Sequence, residues 1–309
     1  MLAKTAASMD DRGRGGSDLA LLSERHDLRR APQPNSRMSR RTITETGILF
    51  LLLLAANQTY GQPQTLEERQ PLELVFADSI VPQDRHETML TTGVWYFRHR
   101  SLHSASLTQK LEWGISDRLQ VATLVQFVNS SNSLGSTKTG LGDVEIGARY
   151  TWAKVGSEFT HLAIAFEALL PTGNPRRALG EGAYSVSPSV LISRELRHGK
   201  YQLFSTTGME FIAKRRRLDP SQDAPRNAIF SNAGMSVHAG QGWAISEISF
   251  SSNRWCGGNE TRFALTPAYV WRLAKRAELL VGIPIGLTSS TDRVGGVIKF
   301  TFELGGKPD

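Results

Sequence analysis

Between residues 87 and 304 apolar and polar side chains alternate, stretch after stretch, and the stretches are joined by connections that are short and long in turn. A period of two sends successive side chains to opposite faces of a strand. From Asp143 to Trp152, Val144, Ile146, Ala148, Tyr150 and Trp152 share one face, while Asp143, Glu145, Gly147, Arg149 and Thr151 share the other. Turning that second face to lipid would cost roughly 2–4 kcal/mol for Arg149 near the midplane, with the two carboxylates adding to it. The even-numbered face must look outward, and the rhythm predicts a closed membrane β-barrel.

About twelve strands are predicted, at 87–98, 104–113, 119–128, 141–152, 159–170, 183–194, 201–212, 227–238, 243–252, 262–271, 277–287 and 294–304. Connections after odd-numbered strands are 99–103, 129–140, 171–182, 213–226, 253–261 and 288–293, four of them nine residues or longer. Those after even-numbered strands, 114–118, 153–158, 195–200, 239–242 and 272–276, never exceed six. The expected class is all-β, a transmembrane antiparallel up-and-down barrel with short periplasmic turns, longer outer loops and both ends in the periplasm. Trp95, Trp113, Trp152, Tyr201, Trp243 and Trp271 lie near strand ends and suit interfacial girdles.

The first 61 of the 309 residues do not carry this rhythm. Residues 1–37 are polar and aperiodic, and read as a disordered extension or a start-site artefact ahead of Met38. Residues 38–61 read as a signal peptide: Arg40 and Arg41 precede the apolar run Ile48–Ala56, and Thr59, Tyr60 and Gly61 close it. Nine strongly apolar residues are too few to cross a core that needs roughly 20. The expected product is exported to a bacterial outer membrane. Without the leader, 27 basic and 23 acidic residues remain, too mild an excess for nucleic-acid binding. Cys256 is the single cysteine, which excludes a fold stapled by internal disulfides. Residues 62–86, with Pro63, Pro71 and Pro82 and the apolar patch Leu72–Phe76, form a lead-in, either a periplasmic arm or a small lumen insert, and residues 305–309 form a tail.

Charged residues on the proposed inward faces are the candidates for function: Lys110, Glu112, Glu145, Arg149, Glu167, Glu210, Glu247, Lys299 and Glu303. They line a polar path for a solute, or they pair across strands and fill a narrow lumen. Lys214, Arg215, Arg216 and Arg217, in the longest outer loop, are candidates to grip lipopolysaccharide phosphates, with a solvated loop as the plainer reading. Asn232, His238 and Ser246 are residue types that a lipid hydrolase would use, but Asn232 and His238 stand about 20 Å apart on one strand and cannot orient one another. His99 and His103 lack a third metal ligand in the sequence, and neither Gly140-Leu-Gly142 nor Gly295-Gly296 leads to the Lys-Ser/Thr of a phosphate loop. No cofactor and no metal are expected.

Three blocks, Leu111-Glu-Trp-Gly-Ile-Ser-Asp-Arg-Leu-Gln-Val121, Gly140-Leu-Gly-Asp-Val-Glu-Ile-Gly-Ala-Arg-Tyr150 and Ala168-Leu-Leu-Pro-Thr-Gly173, resemble the outer-membrane barrels of the meta-pathway phenol-degradation family and its transporter relatives. The resemblance covers most of residues 85–304. It implies an outer-membrane barrel of a Gram-negative bacterium with a role in uptake or export of small, often hydrophobic compounds, and carries no catalytic motif. Arg293-Val-Gly-Gly-Val-Ile-Lys-Phe300 is similar to the last-strand signal read by the barrel-assembly machinery, although Gly305–Asp309 extends past it. The expectation is a non-enzymatic passive channel or transporter for a small, hydrophobic or aromatic solute. The alternative is a structural or binding barrel with a closed lumen, and a lipid hydrolase is the outsider. Expected partners are outer-membrane lipid, lipopolysaccharide, the assembly machinery and a small-molecule solute.

Overall fold

Each alternating stretch forms a strand in the computed structural model, which describes residues 70–99, 102–131, 137–152, 155, 159–177, 179–197, 199–215 and 227–305. Residues 1–37, residues 38–61, read from the sequence as a signal peptide, and residues 62–69 and 306–309 lie outside the described residues. The strands are β1 Thr88–His99, β2 Leu102–Gly114, β3 Leu119–Ser131, β4 Thr137–Trp152, β5 Thr160–Leu170, β6 Ala183–Leu196, β7 Tyr201–Arg215, β8 Ala228–Ala239, β9 Gly242–Ser252, β10 Thr261–Ala274, β11 Ala277–Gly282, β12 Ile285–Gly286 and β13 Val294–Leu304. Strands neighbouring in the ring pair antiparallel, and β1 pairs with β13, from Thr88 opposite Leu304 to Arg98 opposite Val294. That last ladder closes the ring.

β11 and β12 both lie between β10 and β13, so the thirteen segments make twelve staves. The sequence predicted one strand over 277–287. Pro284 interrupts it because it has no N–H to give to the ladder. The flanking backbone is still satisfied: Ile283 N donates to Pro267 O (3.0 Å), and Pro284 O accepts from Gly295 N (2.8 Å).

The outward face is apolar. Val94, Leu107, Leu111, Ile146, Ile164, Phe166, Ile298 and Phe300 are all exposed, a belt far larger than a protein tolerates in water and suited to lipid. Trp113 and Trp271 are exposed near strand ends, as a girdle requires, and Tyr150 with Trp152 and Tyr269 with Trp271 pair their rings there. Trp95 and Trp243 correct the girdle expectation: both point inward and are 1% and 2% exposed. Their position near a strand end misled; Trp95 shares its face with Met89, Thr91 and Gly93, the inward set.

The interior has two unlike walls. On β1, β7, β9, β10, β11 and β13, inward Trp95, Phe97, Phe204, Trp243, Ile245, Val270, Leu280 and Val297 form an apolar wall. Leu74, Val75 and Ala77 of the lead-in pack against it. The facing strands β2 to β5 carry Lys110, Glu112, Glu145, Arg149 and Glu167. The lead-in, read from sequence as a periplasmic arm or a small lumen insert, is inside the barrel over residues 70–84: it bonds side chains of staves all around the ring.

A lysine at Ile298, midway along β13 and facing outward, is expected to destabilise the folded protein by roughly 2–4 kcal/mol, and one at Leu304, at the strand end, by about 1 kcal/mol or less. Urea unfolding in lipid vesicles measures both.

Candidate functional site

Residues 70–87 form no strand and no helix, so their N–H and C=O groups must find partners elsewhere or cost free energy when buried. The strand side chains supply those partners. At the short-turn end of the barrel, Gln70 Nε2 donates to Glu195 Oε1 on β6 (2.8 Å), and Gln202 Nε2 on β7 donates to Gln70 Oε1 (2.7 Å). Leu72 N donates to Glu278 Oε2 on β11 (2.8 Å), and Lys299 Nζ on β13 donates to Leu74 O (2.7 Å).

The insert reaches its highest point at Val75, Phe76 and Ala77. All three backbone N–H groups donate to the carboxylate of Glu247, the middle residue of β9 and fully buried, with Phe76 N at 2.8 Å and Ala77 N at 3.1 Å from Oε2. Asn232 Nδ2 on β8 donates to Phe76 O (3.2 Å). The chain then returns to the same end: Thr151 Oγ1 donates to Ile80 O (3.2 Å), Gln83 N to Gln120 Oε1 (3.1 Å), and His86 N to Gly114 O (2.9 Å). Gly114 is where the insert crosses the end of β2 to enter β1, and a Cβ there would lie 2.0 Å from Asp84 O. The insert is thus a looped plug that rises to mid-height.

Its charged anchor is Glu73. Lys110 Nζ lies 2.9 Å from Glu73 Oε1, and Lys299 Nζ lies 3.1 Å from Oε2. Lys110 also pairs with Glu112 (3.1 Å) and approaches Asp78 (3.6 Å), and Arg149 stands 3.7 Å from Glu112, which accepts from Gln120 Nε2. Burial alone would raise the Glu73 carboxyl, but the Lys110 and Lys299 ammoniums together outweigh it and hold the group at about 2.

Between the insert and the charged wall remains a cavity of about 110 Å³, bordered by Glu73, Asp78, Lys110, Glu112, Glu145, Arg149, Glu167 and Lys299. Gly147, between Glu145 and Arg149, leaves the room that Glu167 occupies: a Cβ there would meet Glu167 Cγ at 3.3 Å. Of the nine sequence candidates, six therefore border this cavity, and Glu247 holds the insert. Glu210 lies toward the other end, where it accepts from Ser185 Oγ (3.2 Å) and borders a second cavity. Glu303 is half-buried near the short-turn end and borders neither.

Sequence reasoning missed Glu73, Gln120, Glu278 and Arg272, whose Nη2 lies 3.0 Å from Glu278 Oε1. Parity along β3 and β11 would have found Gln120 and Glu278. Nothing in the pattern signals Glu73, because its partners lie 37 and 226 residues away. Asn232 is committed to the insert, His238 packs edge-on to Trp243, and His103 Nδ1 lies 2.7 Å from Tyr96 Oη. Arg216 and Arg217 lie outside the described residues, while Lys214 and Arg215 end β7.

The profile of the protein family described as "Putative MetA-pathway of phenol degradation" matches residues 81–303. Among solved structures, the COG4313 outer membrane channel from Pseudomonas putida F1 is similar in fold, with a TM-score of 0.64 at 12% identity over 75% of this chain and 100% of that one. The NanC porin (TM-score 0.49, 10% identity, 70% of this chain and 100% of that one) and the CymD monoaromatic hydrocarbon channel (TM-score 0.42, 7% identity, 73% and 90%) resemble it less. No curated protein matches the sequence.

Because the Glu73 carboxyl is depressed, its contribution to seating the insert is complete above about pH 4.5 and is lost as the pH falls toward 2. Pepsin cleavage between Leu74 and Phe76 is therefore expected to be absent near pH 5 and to appear as the pH approaches 2. Glu73→Gln should expose the segment at both pH values.

Proposed function

This chain belongs to the family described by the MetA pathway of phenol degradation, and on that premise we propose that it is a passive outer-membrane channel for small solutes of hydrophobic or aromatic character. The observation that carries the reading is the half-filled lumen: a closed wall, a charged cavity, and a plug held by side chains rather than by a sheet ladder. Buried ion pairs are weak devices for stability, since well-packed apolar residues of similar volume often do as well or better. Keeping Lys110, Glu112, Arg149 and Lys299 inside is reasonable where the lumen must wet and pass a solute past both signs of charge.

No step of bond making is needed for this role. The belt around Ile164 and Ile298 meets lipid, residues 293–300 at the start of β13 carry the assembly signal, and the basic run Lys214–Arg217 of the sequence is assigned to lipopolysaccharide phosphates. The plug favours one alternative, a binding barrel whose lumen stays shut.

Conductance in planar bilayers separates the two. Wild-type protein is expected to pass small, flickering currents, and Glu247→Ala, which removes the acceptor of three insert N–H groups, to open more often or wider by several-fold. A folded protein that passes no current in either form would favour the shut barrel, and heat-modifiable gel mobility reports the folding.

A further inference from the structure

Above the apex of the insert the chemistry of the lumen changes. A second cavity of about 90 Å³ lies at the end of the barrel that carries the long connections, and Phe76, Phe97, Phe230, Ala228, Ala264 and Pro284 border it. Phe76 borders the charged cavity as well, as do Phe230 and Asn232 of β8, so the apex of the plug and β8 together form a septum between an apolar outer space and a polar inner one. Phe76 is fixed from two sides: Glu247 and Asn232 hold its backbone, and its ring is tilted 39° to Trp95 with centroids 5.4 Å apart, while Trp95 stacks on Phe97 at 6.0 Å.

The outer cavity is not wholly apolar. Ser249 sits on the inward face of β9, two residues beyond Glu247, with Asn232 opposite it on β8 and Ala264 opposite it on β10. Its hydroxyl oxygen is buried and has no hydrogen-bond partner among the described residues, a state that costs free energy until a partner arrives. The charges at the edge are already engaged: Glu210 accepts from Ser185, Arg262 pairs with Glu260 at 3.1 Å, and buried Asp292 has a partner of its own. An ionic ligand would lose its hydration here without gaining a free counter-charge. A neutral one would not.

We infer that this outer cavity is a binding site for a small neutral molecule with a single aromatic ring and one hydroxyl or carbonyl group, the ring lying among Phe76, Phe97 and Phe230 and the polar group meeting Ser249. At about 90 Å³ the cavity is smaller than the roughly 150 Å³ apolar cavity that holds benzene, which limits the ligand to a single ring. Aromatic rings favour offset or edge-on partners, and the three phenylalanines supply them from three different elements. The inference deepens the channel reading and rests on it only for passage inward once Phe76 gives way. Binding itself stands apart from transport.

The test is ligand-observed magnetic resonance with the full chain folded in lipid nanodiscs, using benzyl alcohol, toluene, benzoate and glucose as probes. Saturable binding of benzyl alcohol is expected, with benzoate and glucose at least tenfold weaker. Ala264→Phe, which fills the cavity from β10, should weaken benzyl alcohol at least tenfold, whereas Ile248→Phe, on the lipid face of the same region, should leave it unchanged. Ser249→Ala should weaken benzyl alcohol several-fold and leave toluene as it was. Heat-modifiable mobility confirms that each variant is folded; if Ala264→Phe is not, Ala228→Phe fills the same cavity from β8. The assignment is overturned if benzyl alcohol binds a folded, filled variant as well as wild type, if benzoate binds equally, or if wild type shows no saturable binding. A protein that binds benzyl alcohol but never conducts retains this site and loses the channel. One that conducts without saturable binding loses the site alone.

Discussion

Everything in this structure depends on the β1–β13 ladder. Lipid offers no hydrogen bonds, so an open strand edge in the bilayer would strand a row of N–H and C=O groups at several kcal/mol each. The pairing of Thr88–Arg98 with Leu304–Val294 removes that edge, and closure then dictates the rest. Each strand owes one face to lipid and the other to a lumen, and twelve staves leave a lumen too wide for facing side chains alone to fill. The insert is the answer to that excess of space.

An irregular segment inside a barrel imports its own difficulty, the polar backbone that water no longer solvates. The inward carboxylates, amides and ammoniums resolve it. Glu247 takes three N–H groups, Lys299 gives to a carbonyl, and Glu278 and Gln120 each take one N–H. Several charges that look from sequence like the lining of an open pore thus serve the plug. The two walls divide the labour: the apolar wall from β7 round to β1 receives Leu74, Val75 and Ala77, and the charged wall opposite keeps a space that water and solute can share. Phe76 stands at the end of that space, with aromatic side chains above it and charge below.

The legibility of the chain follows the same division. Leu107, Leu111, Ile164 and Phe166 were readable as outward because one solvent, lipid, imposes one rule on every strand. Lys110, Arg149 and Glu247 were readable as inward by the same parity. Trp95 and Trp243 were misread because closeness to a strand end says nothing of face, although their parity did. The break at Pro284 was within reach of the sequence, since proline cannot serve a ladder on both sides. Glu73 and Phe76 were not, because a lead-in of prolines and short apolar runs has no period, and its partners come from strands far along the chain.

Alternation and connection length by themselves determined the class of fold, the number of staves, the face of each side chain and the solvent around the wall, because these are local consequences of pleat and lipid. Only the tertiary structure decided that the lead-in turns back into the lumen, that Glu73 and Glu247 clamp it there, and that Phe76 parts an apolar cavity from a charged one. Those arrangements arise from contacts between residues brought together by closure, and no periodicity along the chain records which inward side chains will meet across a closed ring.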